Sequence, residues 1–160
     1  MTYDHPEFAG SKLHDRVLQP KDSATLVLVR RDDYSPRILM GQRHAAHAFM
    51  PNKFVFPGGR LDPGDCRVKP ARDLHETTLA KLMKRMRGRP SASKARGLAH
   101  AAIRETLEEA GLLYGRATAD DAPDFSSIHF FARAITPPGR TRRFDSRFFV
   151  ADAVHVSNLD

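Results

Sequence analysis

The sequence predicts an α/β fold in which strands on either side of a helix form one mixed sheet. Three observations support this prediction. Ser23–Arg30 is a β-branched and aliphatic run that is typical of a buried strand. Residues 128–136 and 147–154 have the composition of later strands. Between the first strand and these later strands, residues 98–110 have a helical pattern that ends at Gly111. This order of elements predicts an α/β sandwich.

The other segments are assigned from turn residues and periodicity. The polar start of the chain is expected to contribute at most an edge strand near residues 15–18. The remaining predicted elements are a hairpin partner of the first strand at 37–43, a loop at 44–53, a short strand at 54–56, a helix at 74–87 and a flexible basic loop at 88–97. At 160 residues, we expect residues 1–160 to form a single domain.

Composition excludes several classes of protein. The chain is 41% hydrophobic and 28% charged, and it has no apolar run long enough to span a membrane. Cys66 is the single cysteine, so no intrachain disulfide can form, and a cytoplasmic location is expected. The formal net charge of +7 favours phosphate-bearing partners, although a solvated basic surface would give the same value.

A cluster of charges on the second predicted helix is the strongest sign of chemistry. Arg104, Glu105, Glu108 and Glu109 lie within six positions, and residues three or four apart share a helix face. Glutamates at this spacing repel one another, but a hard divalent cation would convert that repulsion into binding. The alternative is a solvated acidic face whose repulsion Arg104 relieves. Helical spacing alone predicts that Ile103, Leu107 and Ala110 pack on the sheet.

A loop upstream of this helix changes the balance between those alternatives. Phe56–Gly59 ends a short strand with a proline and two glycines, which permit close approach of a ligand to the backbone. Residues 60–65 add Asp62 and Asp65. Each segment alone is typical of a tight turn, but their order before an acidic helix favours a binding site.

At these residues the chain resembles the Nudix hydrolases. Residues 104–112, RETLEEAGL, resemble the helical half of the Nudix box, R-E-U-x-E-E-x-G-U, where U is aliphatic. Phe56–Gly59 and Asp65 resemble its loop half, with aspartate in place of the more usual glutamate. Thr106 stands at an aliphatic position of the pattern. The resemblance implies a Nudix-type α/β/α sandwich with a mixed sheet, and the short stretch after residue 154 suggests that the usual C-terminal helix is lacking.

The spacing of the box departs from the usual pattern. The family places seven residues between the loop acid and the arginine, whereas residues 66–103 lie between them here. We interpret residues 66–97 as an insertion, which a loop tolerates because closure entropy rises slowly with length. An interrupted box, and the segments 135–138 and 143–149, resemble the branch that hydrolyses coenzyme A and acyl-coenzyme A. Ala48 and Asn52 depart from a second motif of that branch.

The resemblance also implies roles for individual residues. Glu105, Glu108 and Glu109, with the Gly59 carbonyl, would bind Mg²⁺ or Mn²⁺. Glu105, Glu108 and Arg104 would be the catalytic residues, and Asp65 would support them without touching the metal. Candidates for contact with substrate phosphates are arginines outside the box, first Arg43 and Arg143, with Arg140 and Arg142 as further members of the group.

The expected partner is therefore a small nucleotide or coenzyme substrate, cut at its diphosphate linkage. The alternatives are an ADP-ribose or NADH pyrophosphatase and a catalytically weak nucleotide-binding module. No zinc spacing or RNA-binding signature supports a nucleic-acid partner, and no membrane partner is expected. If no helix covers the second face of the sheet, an exposed apolar surface would favour a homodimer.

Overall fold

The computed structural model describes residues 18–31, 35–42 and 53–159. The predicted edge strand near 15–18 and the loop at 44–53 lie almost wholly outside the described residues, as does Arg43. The strands are β1 (Lys21–Arg30), β2 (Arg37–Ile38), β3 (Gly41–Gln42), β4 (Phe54–Val55), β5 (Gly58–Arg60), β6 (His129–Ile135) and β7 (Phe144–Asp152), and the helices are α1 (Glu76–Lys84) and α2 (Ala92–Ala110).

One mixed sheet organises the domain. Its strand order is β2-β1-β7-β6, with β5 paired to β1, while β3 and β4 form a separate two-stranded ribbon. β1 pairs in parallel with β7, with Thr25 opposite Phe148, and the other pairs in the sheet are antiparallel. The predicted α/β fold with a mixed sheet is thereby confirmed.

The hydrophobic core lies between this sheet and the helices. Ala24, Leu26 and Leu28 alternate along β1 and join Phe149 and Ala151 of β7 in one buried cluster. Both helices contribute to the same cluster, through Leu82 of α1 and a group of α2 side chains that comprises Ala95, Leu98, Ala99, Ala101, Ala102 and Ile103. Small side chains on α2 let the helix approach the sheet closely, and this holds its C-terminal turn against β5.

Helix α2 is longer than its pattern predicted. Residues 88–97 are predicted to form a loop, but α2 begins at Ala92, where the Ser91 side chain accepts a hydrogen bond from the Lys94 N–H. Serine is a preferred residue at a helix N-cap. Ala95 and Gly97 are buried, so the packed face of α2 extends further towards its N-terminus than predicted. The predicted end is correct, because Gly111 adopts a φ of 71° at the C-terminus.

The packed face of α2 also differs from the prediction. Ile103 is buried as expected, but Leu107 is half-buried and Ala110 is exposed. Thr106 is fully buried instead, and its hydroxyl donates to the Ala102 carbonyl at 2.8 Å. The bond to its own helix satisfies the hydroxyl, so threonine can occupy a position that the Nudix pattern gives to an aliphatic residue.

The remaining elements agree with the sequence in type but differ in extent. The predicted strand at 37–43 is broken into β2 and β3, and the predicted helix at 74–87 is limited to α1. The last strand is shifted towards the N-terminus, because Ala153–His155 form a short 3-10 helix after β7. No α-helix follows β7 within the described residues, and Asn158 donates to the Gly111 carbonyl at 2.8 Å.

Residues 66–97 contain a short 3-10 helix, α1 and the first turns of α2. They pack into the same core as the sheet through Leu74 and Leu82. Their interpretation as an insertion into a single domain remains a prediction. Across the described part of the chain, neither helix combines the length and apolar character needed to cross a membrane.

Candidate active site

The C-terminal turns of α2 place two of the three predicted carboxylates, Glu105 and Glu108, beside Arg104. The Arg104 Nη1 donates to Glu105 Oε1 at 2.9 Å and to Glu108 Oε2 at 3.1 Å. The Glu105 side chain is 16% exposed and the Glu108 side chain is 55% exposed. The helix therefore presents one shielded and one open carboxylate, and the guanidinium between them reduces their repulsion.

The two glycines of β5 lie directly against these carboxylates. The Gly58 N–H donates to Glu109 Oε2 at 3.1 Å. A Cβ added at Gly59 would lie 2.2 Å from Glu105 Oε1, so no side chain fits between the strand and the helix. The reason for glycine at this point is close approach of backbone to carboxylate, because neither residue has a positive φ.

Asp65 connects the loop to the helix from a buried position. Its Oδ1 accepts from Arg104 Nε at 3.0 Å, and its Oδ2 accepts from Arg104 Nη2 at 3.2 Å. Oδ1 also lies 2.8 Å from His100 Nδ1, and Oδ2 accepts the Asp62 N–H at 2.9 Å. The paired contacts fix the plane of the Arg104 guanidinium, so Asp65 orients the residue that orients the glutamates.

Electrostatics keep Asp65 ionised. Burial raises its pKa, but hydrogen bonds from His100, Arg104 and the Asp62 N–H outweigh that effect and lower the pKa to about 2. A carboxylate can only accept, so the hydrogen of the short contact with His100 lies on Nδ1. Asp65 is thus charged and stays in contact with Arg104.

Glu105 is perturbed in the opposite direction. Burial raises its pKa, and the charges of Glu108 and Glu109 act in the same sense, while Arg104 opposes them. Enclosure between the helix and β5 therefore disfavours the charged form of Glu105. A cation placed beside it would offset that cost.

His100 is a member of the site that the sequence did not predict. It precedes Arg104 by one helical turn, so the two side chains share a face and both reach Asp65. The i, i+4 spacing of His100 and Arg104 is visible in the sequence. It carried no signal by itself, because the position of Asp65 opposite them depends on the path of residues 66–97.

A cavity of about 900 Å³ opens beside these residues. It lies on the face of the sheet away from the core, where Ser23 and Ser146 share a hydrogen bond of 2.7 Å. Phe144 and Phe148 supply apolar surface, and the residues from the site that line it are Gly58, Gly59 and Glu109. A pocket of this size and mixed character can hold a nucleotide-sized molecule with its polar end at the carboxylates.

The arginines that were predicted to contact substrate differ in their position relative to this cavity. Arg142 lines it, whereas Arg143 is not among its lining residues. The Arg143 guanidinium donates to the carbonyls of Thr136 at 3.0 Å and Leu18 at 2.6 Å, which ties it to backbone. Arg43 lies outside the described residues. The structure brings Arg142 to the cavity, and contact of Arg143 or Arg43 with substrate remains a prediction.

The donor set fits a hard divalent cation. Three carboxylates and a glycine carbonyl are oxygen ligands of the kind that Mg²⁺ and Mn²⁺ prefer. Within residues 18–31, 35–42 and 53–159, no three histidine, cysteine, aspartate or glutamate side chains are arranged as a group that could hold a metal ion. Glu105 and Glu108 are instead turned towards Arg104, so metal binding would require these side chains to change rotamer.

Comparison with solved structures identifies the fold. The chain resembles the crystal structure of a Nudix hydrolase from Alicyclobacillus acidocaldarius, with a TM-score of 0.61 and 23% identity over 86% of this chain and 71% of the other. A C. elegans Ap4A hydrolase is a weaker match, with a TM-score of 0.43 and 17% identity over 84% and 68% of the two chains. No family model and no curated protein matches the sequence.

The domain therefore has a Nudix-like fold, with a mixed sheet and two helices. The helix that carries Arg104 and the three glutamates is part of that fold. Neither match identifies a branch, so assignment to the coenzyme A diphosphatases remains a prediction from the sequence.

We expect Asp65→Asn to lower the free energy of unfolding by about 2 kcal/mol at neutral pH. The native carboxyl has its pKa lowered to about 2, so its charge stabilises the folded state above the unfolded pKa of roughly 4 and loses that effect as pH falls towards 2. Urea unfolding at pH 7 and pH 3 measures the difference. The exposed Asp120→Asn is the control, and a parent–variant difference that did not shrink at pH 3 would contradict the assignment.

Proposed function

We propose that this chain is a metal-dependent pyrophosphatase that hydrolyses the diphosphate linkage of a nucleoside-diphosphate derivative. One observation carries the proposal. Glu109 and the Gly58–Gly59 backbone form part of the wall of a nucleotide-sized cavity, and Glu105 lies directly against Gly59. A solvated acidic helix face would not need a glycine strand pressed against it, whereas a phosphate–metal site uses both.

In this proposal Glu105, Glu108, Glu109 and the Gly59 carbonyl bind Mg²⁺ or Mn²⁺. The bound cation supplies Lewis acidity towards a phosphoryl oxygen and towards water. Glu105, enclosed between α2 and β5, contributes a ligand or accepts the proton of the attacking water. Arg104, fixed by Asp65, pairs with Glu105 and Glu108 and would release them to the cation.

The organic part of the substrate would lie in the cavity. Phe144 and Phe148 offer apolar surface for a base, and the hydroxyls of Ser23 and Ser146 offer hydrogen bonds. Arg142 lies where it can pair with a phosphate. The sequence motifs favour coenzyme A or an acyl-coenzyme A as substrate, and ADP-ribose and NADH share the same diphosphate chemistry.

A screen for hydrolysis tests this function. Coenzyme A, an acyl-coenzyme A, ADP-ribose, NADH and dinucleoside polyphosphates are incubated with Mg²⁺ or Mn²⁺, with and without a chelator. The parent is compared with a variant in which Glu105, Glu108 and Glu109 are all glutamine. Chelator-sensitive release of a nucleotide by the parent alone is the expected result, and equal release by both proteins would reject the proposed site.

A nucleotide-binding module with weak turnover is the second candidate. Arg104 pairs with both Glu105 and Glu108, which would have to be released before they bind a metal. This module would show substrate binding by calorimetry without chelator-sensitive product.

The same preparation also tests the predicted homodimer. A monomer by light scattering at micromolar concentration would count against it.

We expect Gly59→Ala to reduce hydrolysis by about tenfold or more while the protein remains folded. The new methyl group would overlap Glu105 Oε1, which lies 2.2 Å from the ideal Cβ. A flexible carboxylate can move aside, so catalysis should suffer more than stability. Gly64→Ala is the matched control, because nothing lies within 4 Å of its Cβ. Equal kcat/KM for the two alanine variants would show that the close approach has no role in the reaction.

A further inference from the structure

A second cleft of about 600 Å³ lies near the other end of α2. It is formed where the start of β1, the end of β5, the start of α2 and the segment after α1 meet. Its charged lining residues are Lys21, Asp22, Arg60, Arg87 and Lys94. Along the helix, Lys94 precedes Glu105 by about 16 Å at 1.5 Å per residue, so this cleft is separate from the carboxylate cluster.

The positive charges of this basic cleft exceed what its single acid can neutralise. Lys94 Nζ lies 2.6 Å from Asp22 Oδ2, and Arg147 Nη1 lies 3.1 Å from Asp22 Oδ1. The Asp22 carboxylate is thus already shared by two cations. Arg87 donates to neutral groups, the Pro20 carbonyl and the Gln19 side chain. The cleft therefore carries several cations in excess of its one carboxylate.

A buried arginine outside the lining of the cleft also pairs with Asp22. Arg147 is 1% exposed, and its Nη2 has no hydrogen-bond partner among the described residues. Nη2 shares its guanidinium carbon with Nη1, which bonds to the carboxylate that lines the cleft. Buried donors are rarely left without an acceptor, and Arg147 does not line the cleft, so a buried water molecule is the expected acceptor of Nη2.

We propose that the basic cleft binds a phosphoryl group. Several converging cations suit a dianion, and guanidinium groups bind phosphate oxygens in pairs. A cleft of this volume fits a small anion better than the backbone of a nucleic acid, which needs an extended surface.

The phosphoryl group has two potential sources. Arg60 lines both this cleft and the larger cavity, so a substrate that carries a further phosphate could reach from one to the other. That source rests on the proposed function. Free inorganic phosphate, which is independent of any hydrolysis, is the other source.

Calorimetry with inorganic phosphate tests the site directly. The titration uses the full chain in metal-free buffer at constant ionic strength, so that it does not depend on catalysis. We expect the parent to bind phosphate and Arg87→Gln/Lys94→Gln to bind it about tenfold more weakly or not at all. Lys69→Gln/Lys81→Gln removes the same charge from exposed positions outside the cleft and should bind within twofold of the parent.

Several results would overturn the proposal. They are absence of phosphate binding by the parent, equal loss in the control variant, or unchanged affinity in Arg87→Gln/Lys94→Gln. Thermal unfolding without phosphate verifies that each variant is folded. If the double variant does not fold, Lys21→Gln replaces it, because Lys21 is exposed at the rim and should still weaken binding severalfold.

A pair of substrates that differ by one phosphoryl group separates the two sources. Coenzyme A and dephospho-coenzyme A are such a pair. If the phosphate is carried by the substrate, the Arg87→Gln/Lys94→Gln variant should raise KM for coenzyme A and leave that for the dephospho compound unchanged. If both KM values stay unchanged while phosphate binding is lost, the ligand is free phosphate. If neither compound is hydrolysed, a coenzyme A substrate is ruled out, and the calorimetric result still decides whether the cleft binds phosphate.

Discussion

Glu108→Gln is expected to lower metal-dependent hydrolysis by about 100-fold or more. Glutamine keeps the size of the side chain and its ability to accept a bond from Arg104, but it removes the negative charge. The negative charge helps to bind the divalent cation, and the bound cation would in turn neutralise the phosphates of the substrate.

Stability should hardly change in this variant. Glu108 is 55% exposed, and an exposed pair with Arg104 one helical turn away contributes only about 0.3–0.5 kcal/mol. Removal of repulsion from Glu105 offsets part of that loss. Activity and stability are therefore separable at this position, which makes it a sharper test than the more enclosed Glu105.

The measurement is kcat/KM over a range of Mg²⁺ and Mn²⁺ concentrations, with the melting temperature recorded alongside. Glu76→Gln is the matched control, because Glu76 is an exposed glutamate of α1 remote from the carboxylate cluster. If Glu108→Gln retained the parental kcat/KM at every metal concentration, the assignment of α2 as the metal-binding helix would be wrong.

Asp145→Asn is expected to lower the free energy of unfolding by about 3–5 kcal/mol. Asp145 is fully buried, and it accepts from Arg133 Nε and Nη2 at 2.7 Å each. Arg147 Nη1, which is also buried, lies 2.7 Å from its Oδ1. Asparagine would leave two guanidinium groups without their shared charge, and one of them cannot reach solvent.

The effect should depend on pH in a defined direction. Burial raises the pKa of Asp145, but the two arginines more than compensate and hold it below its ordinary value. Its charge therefore stabilises the fold above the unfolded pKa of roughly 4, and this contribution is lost as pH falls through the lower native value. The parent should approach the variant in stability only in acid.

Urea unfolding at pH 7 and at pH 3 provides both values. Asp120→Asn, at an exposed turn, controls for loss of one negative charge. A difference of less than about 1 kcal/mol between Asp145→Asn and the parent at pH 7 would show that the buried pair contributes little. If the loss of stability is as large as expected, adding Arg147→Met to Asp145→Asn should recover part of it, because that change removes the buried guanidinium that has lost its carboxylate.

The sequence was sufficient where local pattern decides structure. β1 follows from its aliphatic run, the end of α2 follows from Gly111, and the cluster of Glu105, Glu108 and Glu109 follows from helical spacing. These features depend on neighbours within a few residues, and the Nudix-like fold agrees with them.

The sequence was insufficient where tertiary contacts decide structure. The start of α2 at Ala92 depends on burial against β1 and the short 3-10 helix, which outweighs a glycine-, serine- and proline-rich stretch. His100 and Asp65 meet only because residues 66–97 fold back on α2. The contacts of Arg143 with the carbonyls of Leu18 and Thr136 are not indicated by any sequence pattern, and its contact with substrate remains a prediction.

The parallel pairing of β1 with β7 has a consequence for how the protein is made. Thr25 and Phe148 are neighbours in the sheet but lie more than 120 residues apart in the sequence. A ribosome must therefore release both strands and all the residues between them before β1 can acquire its central partner. Until then the edge of β1 that pairs with β7 has no hydrogen-bonding partner. Such pairing between distant segments gives the fold a high contact order, which slows folding. Newly synthesised chains should thus depend on chaperones during the interval between synthesis of the first strand and the last.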